Sequence, residues 1–424
     1  MKSRGLAAGF AIALGIAGVG TIGVADVAIA QDSVDVRKVG VSREANRLLV
    51  QGGEQYQMNQ FEAALESWKQ SLKLYRELKD QSGEGKALGN LGVAYQFLHK
   101  YLKAIEYHHQ SLVIARELKD QLSEGRSLGN LGIAYQALGN YPKAIEYHHQ
   151  VLVIARKLKD RRIEEGVLGN LGVTYYLLGN YPKAIDFQEQ SLIIARELKD
   201  RSGEGKALGN LGLIYQFIGN YPKAIEFQEQ RLEIAREIKD RLGEGQSLGN
   251  LGLTHYSLGN YPKAIEFQEQ SLKIAREIKD RLGEGKDLGN LGSIYVSLGD
   301  YPRAIEFYEQ SLIITREFQD RFGERISLNN LGLVYKDLGN YPRAIEFLEQ
   351  SLTIAREIKD RRGEGESLGN LGLVQKRLGN YSKTIEFLEQ SLMIACEIKD
   401  RRGEGESLGN LGLAYYNSPD IFTP

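Results

Sequence analysis

The sequence predicts an all-α solenoid of about nine helix–turn–helix units followed by one terminal helix. Three observations carry that expectation. A tyrosine recurs every 40 positions, at Tyr101, Tyr141, Tyr181, Tyr221, Tyr261, Tyr301, Tyr341 and Tyr381, without one insertion. Glycines keep the same period from Gly92 to Gly412. Within each period apolar residues fall at helical spacing, and a turn such as Gly219-Asn220-Tyr221-Pro222 divides it in two.

The chain opens with Lys2 and Arg4, then an apolar Gly- and Ala-rich run from Gly5 to Ala25. Ala28-Ile29-Ala30 fits the small-x-small rule for leader cleavage. Residues 1–30 therefore read as a signal peptide cut after Ala30, which places the mature chain in a periplasmic or lumenal space. Left uncut, residues 5–25 would anchor it in a membrane, since roughly 20 residues suffice to span one. Residues 31–40 read as a short linker. The repeats occupy 41–417: a degenerate unit at 41–80, then 81–120, 121–160, 161–200, 201–240, 241–280, 281–320, 321–360 and 361–400, and a half unit at 401–417. Residues 418–424 form a tail.

The unit 201–240 shows how each period reads. In its first helix, helix A, Leu208, Leu211, Gly212 and Tyr215 share one face. Gly219 ends that helix, because glycine readily takes the left-handed conformation. Asn220 or Tyr221 caps the second, and Pro222 is tolerated where the amide has no intrahelical partner. Helix B runs from about Tyr221 to Ile238, with Ala224, Ile225, Phe227, Leu232 and Ala235 on its apolar face. Asp240 is placed to cap the next helix A. Gly212 and Ala224 let the two helices approach closely, which outweighs the roughly 1 kcal/mol propensity cost of a helical glycine. One hairpin cannot bury both faces, whereas a stack can.

Composition excludes several function classes. Hydrophobic residues make up 42% and charged residues 26%, as in a folded soluble domain, and net charge is -1 with both signs interspersed. Phosphate-based nucleic-acid binding would need a clustered basic surface. The single cysteine, Cys396, permits no internal disulfide. Cys396 stands where other units carry Arg316 or Arg356, and no histidine lies near it in sequence to act as a base. His108-His109 and His148-His149 are adjacent on a helix, so they point about 100° apart rather than converging on a metal, and they read as a solvated helix face. His255 replaces a core tyrosine and reads as a packed or partly exposed core substitution. The recurrent Gly-Glu-Gly and Gly-Asn-Leu-Gly follow no strand and precede no phosphate-binding lysine. The sequence thus predicts no catalytic residue, metal, cofactor or small-molecule substrate. Glu237 and Arg241, four apart, read as a surface pair worth a few tenths of a kcal/mol.

The spacing Leu208, Leu211-Gly212, Tyr215, Gly219, Tyr221, Ala224, Leu232 resembles the tetratricopeptide repeat. The 40-residue period is similar to the longer repeats of Pins-type adaptors and kinesin light chains. Phrases such as AIEYHHQSLVIARELKD are similar to cyanobacterial repeat proteins, many of which continue into a caspase-like CHAT protease module. The resemblance implies a right-handed superhelix that binds a protein or peptide on its concave wall.

The resemblance places a second stripe of helix A on that wall: Lys206, Asn210, Leu213 and Phe217 in the unit 201–240. Asparagine holds one of its positions in every unit, at Asn90, Asn130, Asn170, Asn210, Asn250, Asn290, Asn330, Asn370 and Asn410. A carboxamide both donates and accepts, so it can pair with a peptide backbone of any sequence. The series is similar to the asparagine ladder of the O-GlcNAc transferase repeat domain. The same asparagines could instead bond neighbouring helices and set the geometry between units. A second position is mostly apolar, including Leu213 and Leu253, with Ser293 as its exception. A third drifts from Lys86, Arg126, Lys206 and Lys286 to Glu366 and Glu406. Such a groove suits an extended or amphipathic peptide.

The expected function is a non-catalytic scaffold or adaptor for a protein or peptide. The alternatives are the regulatory arm of a separately encoded CHAT-like protease, and a structural spacer. The half unit keeps Leu408, Leu411 and Tyr415, a core face with no following helix B, through which self-association is possible.

Overall fold

The computed structural model describes residues 36–418. The leader read in residues 1–30 and all of the tail except Ser418 lie outside them. Nineteen α-helices and no strand occur among the described residues. None of these helices is long and apolar enough to cross a membrane. The chain divides into two compact units, one ending at Ala87 and one beginning at Leu88.

The first unit holds α1 (Val36–Gln57), α2 (Phe61–Leu78) and the start of α3 (Gln81–Phe97). Helix α1 takes in the last five residues of the segment read as a linker. Trp68 is buried against Gly52, and its Nε1 donates to the Leu49 carbonyl at 3.0 Å. Ser71 Oγ and the Tyr75 hydroxyl tie α2 to α1 through the Ala45 carbonyl and Asn46, both at 2.8 Å.

The second unit continues along α3 and then alternates helices A and B. Its helices B are α4 (Tyr101–Glu117), α6 (Tyr141–Leu158), α8 (Tyr181–Leu198), α10 (Tyr221–Glu237), α12 (Tyr261–Glu277), α14 (Tyr301–Glu317), α16 (Tyr341–Glu357) and α18 (Tyr381–Glu397). Its later helices A are α5 (Gln121–Ala137), α7 (Arg161–Leu177), α9 (Arg201–Phe217), α11 (Arg241–Ser257), α13 (Arg281–Leu298), α15 (Arg321–Asp337), α17 (Arg361–Arg377) and α19 (Arg401–Tyr416).

Local chemistry fixes these boundaries. The Asp240 carboxylate accepts from the Gly243 amide at 2.9 Å, capping α11, and Asn220 accepts from the Lys223 amide at 3.4 Å at the start of α10. Such caps are worth about 1 kcal/mol each. Gly219 turns out of helix A at φ 79°. The other turn, from helix B into the next helix A, uses a non-glycine: Lys239 takes φ 58°, and lysines or Gln319 hold the equivalent place from Lys79 to Lys399.

Leu208, Leu211 and Ala224 are fully buried between helices A and B. Tyr215 stacks on Phe227 at 5.5 Å, with the Lys223 ammonium 4.8 Å from the Tyr215 ring centroid. His255 enters the same stack against Phe267 at 5.4 Å, as a packed substitution.

Two readings from sequence are corrected here. His108 and His148 do not lie on a solvated face; both are fully buried. Each ring fills the notch left by a helix A glycine, Gly92 or Gly132. The same place is taken by Gln188, Gln228, Gln268, Tyr308, Leu348 and Leu388 in later units, and all are buried. A Cβ on Gly212 would sit 2.5 Å from Gln228 Nε2, so the glycine makes room for the side chain of the opposing helix.

The second correction concerns Glu237 and Arg241, which do not pair with each other. Arg241 reaches Glu244 and Glu277, and Glu237 is held by Arg201. The pattern is a ladder between units. Nearly buried Glu204 accepts from Arg196 at 2.8 Å and from Arg201 at 2.6 Å, and Arg201 continues to Glu237. It recurs in six consecutive units, through Glu164, Glu204, Glu244, Glu284, Glu324 and Glu364. Burial alone would raise the Glu204 pKa, but hydrogen bonds from Arg196 and Arg201 outweigh it and hold the carboxyl below its ordinary range. Exposed Cys396 occupies the arginine position facing Glu404, so that rung keeps only Arg401.

Candidate binding face

Helix A buries three of its sides. Its leucines and tyrosine enter the core. Gly205 and Gly212 face helix B of their own unit, as contacts to Ile234 and Gln228 show. Gly203 faces the preceding helix A through Glu165. The remaining side carries the residues at the second, sixth, tenth, thirteenth and seventeenth places of the unit, which fall within a narrow arc at about 100° per residue. In α9 these are Ser202, Lys206, Asn210, Leu213 and Phe217. Ser202, Lys206 and Phe217 are exposed, whereas Asn210 and Leu213 are half-buried.

Successive helices A touch one another, in α5–α7, α7–α9, α9–α11, α11–α13, α15–α17 and α17–α19. No pair of successive helices B makes comparable contact among the described residues. A stack whose helices A lie closer than its helices B bends toward helix A. Within this unit, the free side of helix A is therefore the inner wall.

Asn90, Asn130, Asn170, Asn210, Asn250, Asn290, Asn330, Asn370 and Asn410 are all half-buried. Two of them bond to neighbouring elements. Asn370 Nδ2 donates to Asn329 Oδ1 on the preceding helix A at 3.0 Å, and Asn290 Nδ2 lies 3.5 Å from Gln268 Oε1 on α12. For Asn130, Asn170, Asn210 and Asn250 no side-chain hydrogen bond occurs among the described residues. Leu213 and Leu253 line the same wall half-buried, and Arg126, Lys206 and Lys286 stand exposed on it. Lys86 is exposed in the first unit.

The acidic end of the charge drift is neutralised. Glu366 is paired with Arg325 and Arg362, and Glu406 with Arg402 at 2.8 Å. Arg325 replaces a glycine found at this place in most units. It lies nearly buried over the Phe322 ring, 3.0 Å from Asp360. Sequence reasoning missed the second place of helix A, filled by Arg162, Leu242, Leu282 and Phe322. The signal was present, since these residues precede the lysine position by one helical turn. No group of three or more His, Cys, Asp or Glu residues able to hold a metal occurs among the described residues.

The model of the tetratricopeptide repeat family matches residues 83–157, 164–237, 243–317 and 324–397, most of the chain. The chain belongs to the tetratricopeptide repeat family. Solved structures of similar fold include the apo quorum sensor NprR from B. thuringiensis. It is 16% identical with a TM-score of 0.59, over 85% of this chain and 99% of that one. A Rap protein complexed with Competence and Sporulation Factor is 16% identical with a TM-score of 0.55, over 85% and 99% of the two chains. Aspartyl phosphate phosphatase F from Bacillus subtilis is 14% identical with a TM-score of 0.57, over 88% and 96%. No curated protein matches the sequence. At these identities the likeness establishes the fold of the tetratricopeptide-repeat chain, a fold that generally serves as a non-catalytic binding scaffold.

Proposed function

We propose that this tetratricopeptide-repeat chain is a scaffold that holds a peptide segment of a partner protein along the inner wall of helices A. The observation that carries this reading is the row of half-buried asparagines whose carboxamides, from Asn130 to Asn250, are left unbonded by the protein itself. A carboxamide that the protein itself leaves free offers both a donor and an acceptor, which a bound backbone can engage in place of water. The Rap structure named above, solved with Competence and Sporulation Factor, is a precedent for a partner bound on this fold. A leader at residues 1–30 would place the scaffold outside the cytoplasm.

A structural role is favoured at Asn290 and Asn370, whose side chains reach neighbouring elements. The test therefore spares them. Asn130, Asn170, Asn210 and Asn250 are changed together to alanine, and wild type and variant are panned against one random peptide library. Peptides enriched by the wild type are expected to bind the variant at least tenfold more weakly. Equal enrichment by the two proteins, with both helical by circular dichroism, would favour a spacer or a different face.

A further inference from the structure

We infer that the inner wall between residues 121 and 300 is built for an acidic segment that also carries apolar side chains. This rests on the reading of that wall as the binding face. Every carboxylate on helices A in this stretch is accounted for. Asp120, Asp160, Asp200, Asp240 and Asp280 accept from backbone amides as caps. Glu124, Glu164, Glu204, Glu244 and Glu284 are engaged by arginines. Asp287 is buried beside Gly249, and burial lifts its pKa to about 7. Glu165, half-buried against Gly203, lies one place off the stripe and is in electrostatic reach of Arg162 and Lys206 without an ion pair to either.

The cations divide differently. Arg161, Arg201, Arg241 and Arg281 belong to the ladder. Arg126, Arg162, Lys206 and Lys286 are exposed on the stripe and form no ion pair among the described residues. The stripe from 121 to 300 therefore presents four exposed positive charges held in no direct ion pair and no carboxylate of its own, in a chain whose net charge is -1. Beyond residue 321 the stripe has Arg362, Arg377 and Arg402 against Asp337, Glu366 and Glu406, so the signs balance. Between the cations lie Leu213, Leu253, Leu242 and Leu282. A ligand matching this wall needs carboxylates to meet the cations and apolar side chains to cover the leucines.

The experiment uses the full chain and three fluorescent 15-residue peptides with the same alternating leucines and valines. Glutamate, glutamine or lysine fills the remaining positions, and a single-stranded oligothymidine of equal charge serves as a competitor. The glutamate peptide is expected to bind at least tenfold more tightly than the lysine peptide and to weaken with salt. Lys206→Glu with Lys286→Glu should reduce glutamate-peptide binding at least tenfold and raise lysine-peptide binding. Lys273→Glu, on the outer side of α12, should change neither. The inference is overturned if the lysine or glutamine peptide binds as well, if the double variant keeps its preference, if none of the peptides binds, or if the oligonucleotide displaces the peptide at equal concentration. Binding that ignores peptide charge yet needs the asparagines would sink this inference and leave the proposed function standing. Binding indifferent to both sets of changes would remove both.

Discussion

The units from 81 to 280 and those from 321 to 400 build the same notch and fill it with opposite chemistry. In the earlier stretch the side chain opposite the helix A glycine is His108, His148, Gln188, Gln228 or Gln268. In the later stretch it is Leu348 or Leu388, and all seven are buried. The three glutamines recover part of the desolvation cost through their amide hydrogens. Gln188 and Gln268 donate to the Gly169 and Gly249 carbonyls at 2.9 Å, and Gln228 to Gly209 at 3.1 Å. The acceptor oxygens of Gln188 and Gln228 find no partner, and neither ring nitrogen of His148 does. The leucines leave no such debt. A notch of fixed shape thus accepts several side chains of suitable volume, and the unsatisfied atoms determine how stability responds to conditions.

The largest consequence is a dependence on pH. Burial lowers the His108 pKa to about 3 and the His148 pKa to about 4, with the neighbouring His109 and His149 adding a smaller push in the same direction. Both rings are neutral in the fold, whereas an unfolded histidine takes up a proton below about 6.5. Their contribution is therefore complete above about pH 6.5 and is lost as pH falls toward the folded values. Between pH 6.5 and 5 the loss is about 1.5 kcal/mol per histidine. Replacing both with glutamine, the residue that follows in the next three units, should flatten this fall in denaturant midpoints. An unchanged pH profile in His108→Gln with His148→Gln would show that the rings are not neutral and buried in solution.

A smaller effect separates the glutamine and leucine units. Gln228→Leu removes an unsatisfied oxygen and adds apolar burial, so it should stabilise by about 1 kcal/mol. Leu348→Gln should destabilise by a similar or larger amount. Denaturant titration of both variants measures the pair, and shifts of the same sign would break the comparison.

The repeat, its two helices and their caps were legible because a 40-residue period repeats every local signal nine times. Asp240, Asn220 and Gly219 act at the ends where their chemistry predicts. The filled notch was not legible. Its occupant changes from histidine to glutamine to leucine, and what buries it is a glycine on the opposing helix, which helical periodicity within one segment does not reveal. The ladder was hidden for a related reason. Arg196 and Glu204 are eight apart, and Arg201 and Glu237 are 36 apart, so a search for pairs four apart finds Glu237 and Arg241 instead. On the inner wall, the asparagine row was legible as a series. The division of its members into bonded and unbonded ones depends on what each neighbouring unit places within reach, such as Asn329 beside Asn370.

The binding face itself is tested most directly by amide hydrogen exchange of the full chain with and without a bound acidic–apolar peptide. The account predicts added protection along α5, α7, α9, α11 and α13, strongest near Asn130 to Asn250, with the outer helices α6, α8, α10 and α12 little changed. Protection confined to helices B, or to α19, would contradict it.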